Sequence, residues 1–242
     1  MTEEDRGAAL ASLSMTRRLV IPGISALAML GVLLFLGTWQ ISRRAWKQEV
    51  LAAIAAAEQR PLVPLPATPP VLARVRAEGQ FAPGIALYGA EVRSVAGVPT
   101  GGARLLGILL REGAPPVLVD RGWIPVPTPN IAAGPATIDG YIRLPDQPGT
   151  FTPADDLPGR RFYTLAPATI GRALGFADLA PFVLVALGPP PAAGYPEPAA
   201  SMPRPANNHL TYALTWYGLA GILVVIFAVY LRATLVRRVP RS

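Results

Sequence analysis

The chain has 242 residues, of which 51% are hydrophobic and only 15% are charged, whereas soluble domains average about a quarter charged residues. The net charge is +7, but no basic and aromatic recognition motif follows it along the chain, so we expect a membrane protein and no nucleic-acid partner. The absence of cysteine and the single histidine exclude disulfides, thiolate zinc sites and iron–sulfur clusters. Any metal must therefore arrive inside a cofactor or share ligands with a partner.

The first apolar block, residues 19–39, is long enough to cross a bilayer as a helix. Arg17 and Arg18 precede it, as in a signal peptide, but the block exceeds an ordinary signal core and no small-residue cleavage site follows. The sequence therefore predicts an uncleaved transmembrane helix after a cytoplasmic N-terminus, residues 1–18.

Residues 40–70 predict a helical stalk followed by a proline-rich spacer. Residues 41–60 contain no glycine or proline, and their apolar side chains recur at helical spacing. Pro61 should end the helix, and the prolines up to Pro70 favour an extended chain.

Residues 71–187 predict a β-rich domain. Ala73, Val75 and Ala77 alternate with charged residues, which is the pattern of a half-buried strand. Further strands are predicted at Ile85–Tyr88, Leu105–Leu110, Val117–Val119, Thr137–Arg143 and Phe182–Leu187. Glycine and proline between the strands favour short turns and an antiparallel barrel or sandwich, with one helix at Pro167–Leu174.

A second proline-rich segment, residues 188–208, leads to a second apolar run, residues 209–231, and a basic tail, residues 232–242. The predicted fold class is thus a membrane α+β protein, in which two transmembrane helices flank the β-rich domain.

The arginines predict the orientation of the two spans. Six arginines flank them on the terminal side and four basic residues on the loop side, namely Arg17, Arg18, Arg232, Arg237, Arg238 and Arg241 against Arg43, Arg44, Lys47 and Arg204. We therefore expect a two-pass protein of a bacterial inner membrane, with both termini cytoplasmic and the central domain periplasmic.

His209 is the first candidate for chemistry, because the only imidazole of the chain stands where the second span begins. If Asn207 or Asn208 caps that helix, the helix dipole favours a neutral ring able to bind a metal. Tyr212 and Trp216 follow on the same face. The alternative is that these residues only mark a membrane interface, where such side chains are common.

Arg43, Arg44 and Lys47 stand at the same outer boundary, next to Trp39 and Trp46. Contact with lipid phosphate is one interpretation. The other is a clamp for carboxylates, because guanidinium groups pair with them bidentately. If the two spans pack together, imidazole, guanidinium groups and aromatic walls would suit a haem with its iron and two propionates.

Two further observations bear on function. The stretch Val117–Pro125 predicts a strand closed by a charged turn, whose Asp120 and Arg121 form either a partner-docking site or, by default, an internal ion pair. The sequence has no phosphate loop, GxGxxG, GxSxG or HExxH motif, and no nucleophile with a base. We therefore expect no enzyme, and a periplasmic hydrolase is disfavoured.

Three motifs carry a resemblance to a known family. They are GTWQISRRAWK at Gly37–Lys47, VLVDRGWIP at Val117–Pro125 and NNHLTYALTWYG at Asn207–Gly218. With weaker matches at Arg74–Phe81 and Gly140–Pro153, they stand in the order typical of the Surfeit locus protein one family, called Shy-one in yeast. The resemblance covers nearly the whole chain, with Asp120 where that family commonly has Asn.

The resemblance implies an assembly factor for haem–copper cytochrome c oxidase, which helps place haem a into subunit I and works with other oxidase assembly factors. It implies that His209 is the favoured ligand of the haem iron, bound transiently. In the resulting hypothesis Arg43 or Arg44 pairs with a propionate, and Trp39 and Trp216 form walls. The alternative is a haem-independent membrane scaffold that stabilises an oxidase assembly intermediate.

Overall fold

The computed structural model describes residues 3–128, 131, 133–192 and 194–236, with side chains described from residue 19 to residue 235 of these ranges. The side chains of Arg17 and Arg18 and residues 237–242 of the predicted basic tail lie outside them. The described chain divides into two compact units, one helical, made of the residues up to Ala52 and from Pro205 on, and one β-rich, Ala53–Arg204.

Three helices are described. They are α1 (Glu3–Glu58), α2 (Pro167–Ala173) and α3 (His209–Val236). α1 continues past the apolar block and ends before Pro61, and it begins at Glu3, earlier than the predicted start at residue 19.

Two helical segments, Leu19–Glu58 and His209–Leu235, are long and apolar enough to cross a membrane. Together they are compatible with a two-pass membrane protein. Pro22 lies inside α1 without ending it, which apolar spanning helices tolerate more readily than helices in water.

Eight strands are described in the β-rich unit. They are β1 (Val63–Pro64), β2 (Arg74–Phe81), β3 (Ala86–Val95), β4 (Val98–Arg111), β5 (Ala114–Pro125), β6 (Gly134–Arg143), β7 (Arg161–Phe162) and β8 (Val183–Ala186). Each predicted strand overlaps one of these elements, although the predictions around Ala73, at Ile85–Tyr88 and at Phe182–Leu187 extend one residue beyond them at one or both ends. α2 ends one residue before the predicted helix.

The strands form one sheet in the order β1-β2-β6-β8-β5-β4-β3-β7. The prediction of an antiparallel domain is wrong, because the sheet is mixed: β1 with β2, β3 with β7 and β5 with β8 are parallel pairs. A barrel or sandwich is not established either. β2 also pairs with β4, over two residue pairs, so the sheet curls until these two strands, which are not neighbours in its order, meet.

The apolar core lies on both faces of the central strands. In β5, Val117 and Val119 belong to one cluster of buried residues and Leu118 to another. The second cluster includes Ile170 of α2, so this helix covers one face of the sheet. Burial on both faces explains why β4, β5 and β8 each contain an uninterrupted buried apolar run, Leu105–Leu109, Val117–Val119 and Val183–Ala186, whereas β2 alternates between less and more buried residues.

The stretch Val117–Pro125 is not a strand closed by a turn, because β5 continues through it to Pro125. Asp120 does form an internal ion pair, but with Arg104 of β4 rather than with Arg121. Its carboxylate is 1% exposed and also accepts a hydrogen bond from the amide of Gly122.

Candidate functional site

The helical unit brings the apolar parts of α1 and α3 together in antiparallel orientation. Gly37 of α1 lies under the ring of Tyr217, and a Cβ atom built on Gly37 would lie 2.7 Å from the ring carbon Cε1. The hydroxyl groups of Thr38 and Tyr217 are 3.2 Å apart and share a hydrogen bond. Small residues such as glycine allow helix backbones to approach closely in membranes.

This packing brings His209, the first residue of α3, to Gln40 of α1. The imidazole Nδ1 and the amide oxygen Oε1 of Gln40 are 2.7 Å apart, although the two residues are 169 positions apart in the chain. Because Oε1 can only accept, Nδ1 donates, and the ring is held with its lone pair on Nε2. Nε2 has no hydrogen-bond partner among the described residues.

The arrangement fits an imidazole that binds a metal. Ligand histidines almost always donate their second ring N–H to an oxygen acceptor, which fixes the tautomer and the ring orientation. Gln40 supplies that acceptor, and His209 is half-buried with Nε2 free. No group of three His, Cys, Asp or Glu side chains that could hold a bare metal ion is found among the described residues. One imidazole is instead the donor set that suits the iron of a haem.

The two arginines of the predicted clamp have different surroundings. The guanidinium carbon of Arg43 lies 5.8 Å from the ring centroid of Trp39 and 5.2 Å from that of Trp46. Arg44 is half-buried and has no hydrogen bond or ion pair among the described side chains. It follows Gln40 by one helical turn, so the two lie on nearly the same face of α1, whereas Trp39 lies about 100° around the helix from Gln40.

Trp216 lies on the same face of α3 as His209. Half-buried or buried residues recur there at intervals of three and four positions, at His209, Ala213, Trp216 and Ala220. Trp216 is therefore about 10 Å further along the axis, at 1.5 Å per residue. The predicted cap is not formed by the amide oxygen of Asn207, because this Oδ1 is buried without a hydrogen-bond partner.

Comparison with known proteins places these features in a family. A model of the SURF1 family matches residues 27–221. The chain belongs to the SURF1 family. A SURF1-like protein of Rickettsia conorii is 30% identical to it over 223 residues, which cover 87% of this chain and 92% of that protein. Human Surfeit locus protein 1 is 27% identical over 227 residues, covering 82% and 74%. The mouse protein of the same name is 25% identical over 208 residues, covering 76% and 67%.

The SURF1 match spans every residue of the predicted site and also includes Gln40, whose role sequence reasoning missed. Gln40 was visible within the motif GTWQISRRAWK, three positions after Gly37. Positions three and four apart share a helix face. A glycine that permits close approach and a polar side chain one turn later therefore indicate the face that meets α3.

Proposed function

We propose that this chain is a non-enzymatic membrane chaperone for haem–copper cytochrome c oxidase, which binds haem a and hands it to subunit I. The observation that carries the proposal is the hydrogen bond from His209 Nδ1 to Gln40 Oε1, which leaves Nε2 available to an axial position of the iron. Membership of the SURF1 family agrees with the sequence resemblance, which implies an assembly role rather than catalysis.

Each residue of the site has a distinct task in this proposal. His209 holds the iron through Nε2, and Gln40 keeps the ring in the required tautomer. Arg44, half-buried on the face of Gln40, pairs with a propionate. Arg43, which rests on Trp39 and Trp46, supplies a second cation at the rim, and Trp216 forms a wall. Haem a is cargo here and supplies a redox centre only after its transfer to the oxidase.

A single protein ligand favours release of the cargo. The chain has one histidine and no cysteine, so the haem has at most one strong axial ligand from this protein. Oxidase subunit I, with its own ligands, would then compete successfully for the haem. Other oxidase assembly factors are expected partners in that transfer.

The same proposal places the protein in a bacterial inner membrane, with both termini cytoplasmic and the β-rich unit in the periplasm. The arginines near the termini support this orientation. Trp39 and Trp46 are exposed and adjoin Arg43, which suits contact with lipid headgroups at the outer surface.

The test is purification of the full-length chain from a host that makes haem a, followed by its absorption spectrum and haem-to-protein ratio. We expect a haem a spectrum in the wild-type protein. A colourless protein that still supports assembly of the oxidase would contradict haem carriage and favour the haem-independent scaffold.

A further inference from the structure

Arg121 of β5 lies at a β-bulge, where the pairing of β5 with β4 shifts by one residue. Leu105 of β4 pairs with Gly122, whereas the next residue, Leu106, pairs with Asp120. Arg121 is thus left without an opposite residue on β4. Such a bulge redirects a side chain and is frequent beside functional sites.

The redirected side chain lies on the aromatic ring of Phe81. The guanidinium carbon of Arg121 is 4.0 Å from the ring centroid, and Phe81 itself is buried in the core. Gly107 of β4 leaves room for the stack, since a Cβ there would lie 3.2 Å from Cδ of Arg121 and 3.1 Å from the Phe81 ring.

Among the described residues, Arg121 makes no hydrogen bond and no ion pair and therefore has no anionic partner; its guanidinium group contacts the ring of Phe81. Burial lowers the pKa of its guanidinium group, a sign of desolvation that no carboxylate offsets. Three other partly buried arginines of this unit, Arg93, Arg104 and Arg143, each pair with a carboxylate. Arg161 is also half-buried without a carboxylate partner among the described residues.

The uncompensated cation lines an open cavity of about 320 Å³. Its walls are mainly apolar and proline side chains, with the polar Thr137 of β6 among them. They include Phe81, Pro189, Pro191, Pro196 and Pro198. Asp139 also reaches the cavity, but Arg76 already binds both of its carboxylate oxygens, at 2.7 Å each. The free charge of the cavity is therefore positive.

We propose that this cavity, the Arg121 pocket, binds the carboxylate of an acidic side chain from a partner polypeptide. A guanidinium group on an aromatic ring still presents its N–H fork to a carboxylate, and the pair is bidentate and directional. A single such pair that water can still reach adds little to affinity on its own. The carboxylate must therefore belong to a larger molecule whose neighbouring apolar groups contact the phenylalanine and proline walls. This inference does not depend on haem carriage.

The experiment follows the Nε–Hε resonance of Arg121 in the full-length protein, labelled with ¹⁵N-arginine in detergent micelles. The resonance is assigned by its loss in Arg121→Met. The probes are the blocked tripeptide acetyl-Leu-Glu-Leu-amide, its Gln counterpart and acetate. Each is added at about ten times the millimolar dissociation constant expected for the Glu tripeptide. We expect the Glu tripeptide to shift the resonance to saturation and the Gln tripeptide and acetate to shift it at least tenfold less.

Variants separate a binding role from a structural one. Arg121→Lys retains the charge but not the fork and should weaken binding of the Glu tripeptide about tenfold, measured on the Phe81 ring resonances. Arg172→Met removes an exposed arginine of α2 and should bind like the wild type. Equal shifts from the Glu and Gln tripeptides, equal shifts from acetate, or no shift with any probe would each overturn the proposal.

Discussion

At the scale of single residues, His209 depends on Gln40 because the imidazole has no other recorded hydrogen bond to the described chain. Without the acceptor at Nδ1, the ring can rotate and adopt either tautomer. A ligand histidine that keeps its iron-binding nitrogen but loses its orientation binds less tightly, typically by 10- to 100-fold.

We therefore expect Gln40→Ala to lower the affinity for haem a by about 10- to 100-fold while leaving the protein folded. Haem titration of the apoprotein, followed in the Soret band, measures this. Gln48→Ala is the matched control, because Gln48 is an exposed residue of the same helix. Equal affinities of the two variants would contradict the role of Gln40.

Asp120 is the charged residue that is fully buried in the described part of the β-rich unit. Its carboxylate is 1% exposed and its partner Arg104 is 20% exposed, so the pair lies largely outside solvent. Removal of one partner of a buried pair leaves the other charge uncompensated, at about 3–5 kcal/mol.

Asp120→Ala should therefore lower the free energy of unfolding of this unit by about 3 kcal/mol, the lower end of that range, because Arg104 keeps some solvent. Asp139→Ala, which breaks the exposed pair with Arg76, should change it far less, because solvent screens that pair. Denaturant unfolding, monitored by near-ultraviolet circular dichroism, compares the two variants. Similar losses would show that the Asp120 pair is not a special support of the sheet.

At the scale of elements, the contact between α1 and α3 depends on the absence of a side chain at Gly37. A Cβ there would lie 2.7 Å from the Tyr217 ring, so either the helices separate or the ring swings out and loses its hydrogen bond to Thr38. Both changes disturb the contact that sets Gln40 against His209.

Gly37→Ala should therefore reduce haem retention during purification, and Gly37→Ala with Tyr217→Leu should restore part of it by removing the clash. Gly31→Ala is the control, because a Cβ at Gly31 meets no atom within 4 Å. Retention that is unchanged in Gly37→Ala, or reduced equally in Gly31→Ala, would contradict the dependence of the site on this packing.

At the scale of the whole molecule, the sequence was sufficient for most elements and insufficient for their long-range pairing. Two apolar runs and glycine- or proline-bounded strands could be recognised because each signal is local. The two-residue strands β1 and β7 carry no such signal, and the parallel pairing of β8 with β5 joins segments that are distant in the chain. The antiparallel prediction failed for that reason.

The site was predictable to the same limited degree. His209 and Arg44 could be selected from residue type and their place beside apolar runs. Gln40 was missed, although Gly37 one turn before it marks a face suited to close helix packing, because its pairing with His209 follows from contact between helices separated by the β-rich unit. Arg104 could not be predicted as the partner of Asp120 for a similar reason, since the register of β4 against β5 brings the two together.

The account rests on haem a binding through His209, and one comparison tests it most directly. Three proteins are purified from a host that makes haem a, namely the wild type, His209→Ala and Thr211→Ala. Thr211→Ala is the control, because Thr211 is an exposed residue two positions after His209. We expect stoichiometric haem in the wild type and Thr211→Ala, and loss of nearly all haem, with a shifted Soret band in any remainder, in His209→Ala. Full haem content with an unshifted Soret band in His209→Ala would contradict the account.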